Sequence, residues 1–360
     1  MTRCLIVNPY GIGDVLCTIP LVEAVRRAIS PGGRLGYVCN QRTASLVRAM
    51  PGVDEVIVFE KDAFRAVWAQ SKQHWWTTVR QFAATVRAGG WDTAIDLSLN
   101  WQFGAALAAL GIRRRVGFDY RGRGRFLTAR LPLEGFDDRP VAEYYLDLLT
   151  LLNIPRPTEV RIDLPVPAAA ISDADEWLAR AGGSSTRPLI GLVPGGGASW
   201  GPNAYAKQWP AQHFATIADR LCETLGAEIL LLGDQADDGA RRAVAAAMRH
   251  PPRWLDPPPS LLTLAGILTR CQLVVGNDSG ALHLAVAVGT PSVTIFGPAS
   301  PVVYGPLPGQ APTHRVAVKS VPCRPCYARF RLPPCPWEHR CLTTLHPNEV
   351  YEIARPLLAA

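Results

Sequence analysis

The chain has 360 residues, 48% of them apolar and 19% charged, which is enough for two domains of ordinary size, each with its own core. That apolar fraction is typical of a globular protein, and no segment is long enough to cross a bilayer as a helix. The net charge of +7 rests on 33 arginines against four lysines, a bias that reflects genome composition as much as function and makes each lysine worth inspecting.

The amino terminus runs from Arg3 through a short apolar stretch to Asn8-Pro9, which is no signal peptide, so a cytoplasmic location is expected. Leu5–Val7 is the first buried strand. Gly11 and Gly13 shape the loop after it, and a helix starts near Asp14 with Val15, Leu16, Ile19, Val22 and Val25 on its apolar side. The loop is not a P-loop, because Asp14 follows Gly13 where Lys-Ser/Thr is needed, and it lacks the third glycine of a dinucleotide fingerprint. Its glycines still let a substrate approach the backbone. Asp14 either caps the helix or serves as a general base facing a cleft. Pro20 kinks the helix or marks its true start.

Further strands are expected at Leu35–Cys39, Glu55–Phe59, Thr93–Leu97 and Arg115–Phe118, separated by helices in an alternating β/α pattern. Gly111–Arg130 packs seven arginines among glycines and aromatics. Of these, Arg113, Arg114, Arg115, Arg121, Arg123 and Arg125 suit anionic sugars, lipid phosphates or a membrane surface, while a solvated loop is the plainer alternative. Nucleic acid is disfavoured, since no recognised binding module accompanies the stretch. The proline-rich run Ile154–Pro167 reads as the domain connection. Domains are therefore set at 1–165 and 188–346, with 166–187 as linker and a last helix at 347–360. Within the linker, Asp173 and Asp175 read as caps of a helix Glu176–Ala181 rather than metal ligands.

The β/α pattern begins again with strands at Leu189–Val193, Glu228–Gly233, Leu273–Gly276 and Val293–Phe296. After the first of these comes a glycine loop holding Gly195 and Gly196, then Lys207, then an amphipathic helix through Phe214, Ile217 and Leu221. A lysine between a glycine loop and a helix start is a diphosphate partner or a solvated surface residue. Later, Asn277-Asp278-Ser279-Gly280 forms the turn between a buried strand and a helix of small residues that ends at Gly289. Helix amino termini favour phosphate. Asp278 argues against a bare phosphate cradle and for a ligand carrying both phosphate and sugar hydroxyls. Either Asp278 or Ser279 would equally serve as an ordinary N-cap.

Four of the nine cysteines cluster as Cys323-x2-Cys326-x8-Cys335-x5-Cys341, the pattern of a tetrahedral thiolate site for structural zinc or iron, with free or partly oxidised thiols as the alternative. Cys4, Cys17, Cys39, Cys222 and Cys271 lie in apolar runs as small buried hydrophobes. The final helix opens at His346-Pro347, with proline at its preferred first position.

Three blocks, GIGDVLCTIP, PGGGASWGPNAYAKQWP and NDSGALHLAVAVGTPSVTIFGP, occur in an order that resembles glycosyltransferase family 9, the heptosyltransferases of bacterial lipopolysaccharide core assembly. The resemblance implies a GT-B fold, an α/β class with two Rossmann-like doubly wound domains facing a central cleft. The acceptor would lie on the amino-terminal domain and the nucleotide sugar on the carboxyl-terminal one, with the last helix returning to the first domain. It also implies inverting transfer without a catalytic cofactor or metal, usually of heptose from ADP-heptose, to an anionic glycan or glycolipid, with peripheral contact at the inner membrane. By this resemblance Asp14 matches the general base and Lys207 the lysine facing the donor phosphates. Asp278, Ser279 and Gly280 match the turn holding donor sugar and diphosphate, with His283 one helical turn on. Asp237 and Asp238 are candidates for the ribose contact. Related protein-modifying heptosyltransferases resemble the chain in using a four-cysteine iron site, so transfer to protein side chains stands as an alternative. So do an isomerase on the same architecture and a non-catalytic nucleotide-sugar-binding protein.

Overall fold

The computed structural model describes residues 1–180, 186–253 and 256–358, the side chains of 61–65 and 198–199 lying outside that description. The chain divides into two compact units. The first comprises Met1–Gly135 and Val141–Val160, the second Phe136–Pro140 and Arg161–Ala360. Each is an α/β unit around an all-parallel sheet, as the sequence pattern anticipates.

In the first unit the strands are β1 (Arg3–Val7), β2 (Arg34–Cys39), β3 (Glu55–Val58), β4 (Thr93–Asp96), β5 (Arg114–Tyr120) and β6 (Ala129–Leu133), in the order β3-β2-β1-β4-β5-β6. β6 escapes sequence reading because it carries Pro132 and buries only Leu133 fully, features that suit an edge strand. The sheet winds in opposite directions from β1 and β4, so the loops leaving their carboxyl ends flank the switch point where open α/β sheets bind ligands. After β1 the chain forms two helices, Ile12–Leu16 and Ile19–Ala28, with Pro20 in the first turn of the second. Pro20 thus starts a helix rather than kinking one, since the N–H it lacks would have no intrahelical partner there.

In the second unit the strands are β7 (Leu189–Val193), β8 (Glu228–Leu231), β9 (Leu273–Asn277), β10 (Ser292–Phe296) and β11 (His314–Val318), in the order β11-β10-β9-β7-β8. β9 and β10 are buried along their whole length, as strands covered on both faces must be. β11, half-exposed at the edge, is the strand that sequence reading omits. The switch point here lies between β7 and β9.

Two expected boundaries change. Most of the proposed linker 166–187 is the helix Ala168–Arg180, which packs on the helix Leu261–Arg270. Any side chain at Gly266 would meet the Ala170 carbonyl at 2.5 Å, so the two helices need that glycine to approach. Because the helix starts at Ala168, Asp173 and Asp175 lie inside it rather than at its cap. Asp175 instead takes two hydrogen bonds of 2.7 Å from the Arg270 guanidinium. Residues 181–185 of the linker fall outside the described residues. The last helix, Pro347–Leu358, was expected on the first domain. Its inward residues Val350, Tyr351 and Ala354 instead join Phe214, Ile295 and Ala317 in the core of the second unit. The Arg220 guanidinium lies 3.6 Å from the centre of the Tyr351 ring.

Candidate functional site

The crevice of the second unit is built from the loops after β7 and β9. Asn277, wholly buried at the end of β9, donates through Nδ2 to the carbonyls of Pro194 (2.7 Å) and Gly195 (3.3 Å), while its Oδ1 accepts the Trp209 N–H at 3.0 Å. Both Nδ2 protons are used, so Asn277 clamps the two loops together rather than presenting a group to a ligand. The glycines answer to the same packing. A side chain at Gly195 would sit 1.9 Å from Asp237 Oδ1, and one at Gly196 would sit 2.2 Å from the Ala204 carbonyl. Gly197 follows at φ +69°, a left-handed conformation.

Asp237, a candidate ribose contact, is buried and helps cap its own short helix. Burial and the Asp234 charge push its carboxyl above the usual range, and it accepts the Gly197 N–H. Asp238 pairs with the buried Arg241. Both acids are therefore engaged within the protein.

The charged centre is the group Lys207, Asp278 and His283. Lys207 Nζ lies 2.8 Å from Asp278 Oδ2 and 3.2 Å from the Asp278 carbonyl, with the Trp200 ring centre at 4.4 Å. His283 Nε2 lies 3.6 Å from Asp278 Oδ1. Lys207 and Asp278 are 6% and 4% exposed, so Lys207 is not a solvated surface residue, and the N-cap of the following helix is Ser279 rather than Asp278. Burial alone would raise the Asp278 carboxyl, but the Lys207 ammonium and His283 outweigh it and hold the group well below the usual carboxylate range. The lysine also removes the objection that an acid here repels phosphate, because the pair is close to neutral.

Ser279 occupies the N-cap of the helix Gly280–Ala287, yet its side chain makes no capping bond. Its Oγ is buried and has no hydrogen-bond partner, an uncommon condition for a hydroxyl in a folded protein. The Ser279 Cβ lies 3.5 Å from where a side chain on Gly197 would begin, so the hydroxyl, the helix amino terminus and the glycine loop share one place.

In the first unit, Asp14 is half-buried in the first turn of the Ile12–Leu16 helix, and its carbonyl accepts from Asn8 Nδ2 at 3.2 Å. Gly11 caps that turn and Gly13 lies within it, so both belong to the loop beside Asp14. Sequence reading missed Asp96, the last residue of β4, which pairs with Val7 across the switch point. It is 5% exposed, its Oδ1 accepts the Ser98 N–H at 2.9 Å, and burial pushes its carboxyl up to about 6. A carboxylate closing an apolar strand that neighbours β1 is the signal that would have found it. Tyr10 donates its hydroxyl to the Ser98 carbonyl. Burial raises that hydroxyl's pKa, followed by the charges of Asp14 and Asp96, while Arg123 acts against them. These four side chains therefore share one electrostatic neighbourhood.

Of the arginines, Arg121 and Arg123 are exposed beside the Tyr120 ring, with centroid distances of 4.9 and 5.4 Å, and Arg125 lies 4.7 Å from the Trp101 ring centre. Arg114 and Arg115 donate to backbone carbonyls, those of Leu151 and Phe126 among them, so these two hold the fold rather than offering charge to a ligand.

Cys323, Cys326, Cys335 and Cys341 line one cavity of about 210 Å³ in the second unit, and none forms a disulfide. Burial and the neighbouring thiols raise Cys326, while burial pushes Cys341 up to about 11. The donor set suits a thiophilic ion in kind. Among the described residues, however, no three His, Cys, Asp or Glu are placed to hold a metal ion. The cysteines thus share a cavity without converging on a point.

The profile of glycosyltransferase family 9 (heptosyltransferase) matches residues 79–330. Lipooligosaccharide heptosyltransferase 2 of Haemophilus ducreyi is 26% identical over 323 residues, covering 86% of this chain and 87% of that protein. Among solved structures, the family 9 glycosyl transferase of Veillonella parvula aligns with a TM-score of 0.82 at 24% identity, over 99% of this chain and 97% of that one. The ADP-heptose lipopolysaccharide heptosyltransferase II of Escherichia coli aligns with a TM-score of 0.77 at 24% identity, over 99% and 98%. Both share the GT-B fold class, two Rossmann-like parallel-sheet domains.

Proposed function

The chain belongs to glycosyltransferase family 9, and from that membership we propose that it transfers heptose from ADP-heptose, with inversion, to a hydroxyl of an anionic bacterial surface glycan or glycolipid. As a member it is a sugar-transferring enzyme, which sets aside the isomerase and the non-catalytic binder. The observation that carries the donor side is the buried Lys207–Asp278–His283 group beside the unpartnered Ser279 hydroxyl at a helix amino terminus. A diphosphate at that terminus would take hydrogen bonds from Ser279 Oγ and the Gly280 N–H, with Lys207 as the nearest cation. Asp278 and His283 would then face the sugar hydroxyls. On the first unit, Asp14 would take the proton of the acceptor hydroxyl as its oxygen attacks the anomeric carbon and the carbon–oxygen bond to the diphosphate breaks. Such general-base help is worth about 10²–10⁴-fold. Fixed donors at the helix terminus would take up the charge that develops on the departing diphosphate, with no metal in the step. Arg121, Arg123 and Arg125 would meet the anionic acceptor.

Calorimetric titration of the wild type and Asp14→Ala with ADP, UDP and GDP, with and without magnesium, tests this reading. Selective, magnesium-independent ADP binding retained in the variant is the expected result. Preference for UDP or GDP overturns the assigned donor, and absence of any nucleotide binding overturns the site.

A further inference from the structure

After β3 the first unit carries a helical hairpin, Lys61–Gln70 and Lys72–Ala88, joined at Ser71, whose Oγ accepts the His74 N–H and starts the second helix. The base of the hairpin is explained by packing. Phe82 meets Phe59 with ring centres 5.4 Å apart, and Val86 is buried in the same cluster. Among the described residues the tip has no such partner, yet it carries three of the chain's ten tryptophans within nine residues. Trp68 is 50% and Trp76 59% exposed, and Trp75 bridges them edge-on at 5.0 and 4.9 Å. Solvated helix tips ordinarily carry small or charged residues, and a contiguous aromatic patch marks an interaction surface.

The charge around this patch identifies its partner. Residues 63–91 contain Arg65, Lys72, Arg80 and Arg87 and no aspartate or glutamate. Lys72 lies 5.8 Å from the Trp68 ring centre, and neither Lys72 nor Arg80 has a carboxylate partner among the described residues. No helix among the described residues is long and apolar enough to cross a membrane. Tryptophans interleaved with cations on an amphipathic surface suit the headgroup layer, where the indoles enter the acyl boundary and the cations meet lipid phosphates. We propose that the tip of this hairpin, through Trp68, Trp75 and Trp76 with Lys72 and Arg80, docks the enzyme on an anionic phospholipid surface. The proposal rests on the proposed action on a glycolipid acceptor and extends it by giving the enzyme a surface for the membrane that would hold such an acceptor.

Co-sedimentation of the full chain with vesicles of phosphatidylcholine alone, or with phosphatidylglycerol added, tests the assignment without reference to donor, acceptor or turnover. The wild type should partition onto the anionic vesicles and not the neutral ones. Lys72→Gln with Arg80→Gln should weaken that partition about tenfold or more. Trp68→Ser with Trp76→Ser should do the same and abolish the blue shift of tryptophan emission, while thermal unfolding stays unchanged because both side chains are exposed. Equal sedimentation of the tryptophan variant and the wild type overturns the proposal, as does absence of wild-type binding to anionic vesicles. Concentration-dependent dimerisation that the tryptophan variant loses, without vesicle binding, assigns the patch to a second copy instead.

Discussion

Lys207→Met removes the ammonium from the most buried ion pair of the second unit and keeps much of the side chain's length and apolar bulk. Asp278 then stands 4% exposed, with His283 Nε2 at 3.6 Å as its remaining neighbour in the group. Removing one partner of a buried pair costs about 3–5 kcal/mol, because the other charge is left uncompensated. For a unit of this size that is a fall of roughly 6–20 °C in its melting temperature. Asp278→Asn costs less, since it leaves a cation that can keep its bond to the Asp278 carbonyl position and to the Trp200 ring. In the double variant neither charge remains, so most of the lysine loss should be recovered. Calorimetric unfolding of the four proteins yields the coupling directly. The reasoning fails if Lys207→Met costs under about 1 kcal/mol, the worth of an exposed pair, or if the two losses simply add.

Three other outcomes follow from the same geometry. Asp14→Ala should lower turnover by about 10²–10⁴-fold while ADP affinity changes little; equal loss of both in a folded variant would count against a general base. Substituting Arg121, Arg123 and Arg125 together by Gln should raise the acceptor KM and leave the donor KM unchanged, because their guanidinium groups are exposed on rings of the first unit. Burial raises Asp96 to about 6, so its folded form holds a proton more tightly than the unfolded chain does. The stability this contributes is complete below about pH 4 and is lost as pH rises through about 6, a swing of about 3 kcal/mol. Asp96→Asn should therefore flatten the fall in urea midpoint between acidic and neutral pH, and parallel profiles for variant and wild type would refute the assignment.

Buried parallel strands and helix starts were legible in the chain because each leaves a local mark. Runs such as Leu189–Val193 and Leu273–Gly276 are apolar on both faces, and Gly289-Thr-Pro ends a helix by backbone chemistry alone. The edge strands Ala129–Leu133 and His314–Val318 left no such mark, since half their residues face water. The last helix was legible as a helix but not in its placement. Its apolar stripe states that a face is buried, and only the contact with the second unit's core states where.

The site divides in the same way. Sequence by itself determined the family, the switch-point loops and the names Asp14, Lys207, Asp278 and Ser279, because glycine turns, scarce lysines and polar residues closing apolar strands stand out along a chain. Only tertiary structure decided what those residues do to one another. It joined Lys207 to an acid 71 positions away, turned Asn277 into a clamp and left Ser279 Oγ without a partner. It also raised Asp96 from an ordinary strand residue to a buried acid beside the Asp14 loop. It gathered four cysteines around one cavity without giving them a common centre. Propensity and periodicity are local properties, whereas hydrogen-bond satisfaction and charge burial depend on which distant segments close over a group, and a linear pattern does not contain that.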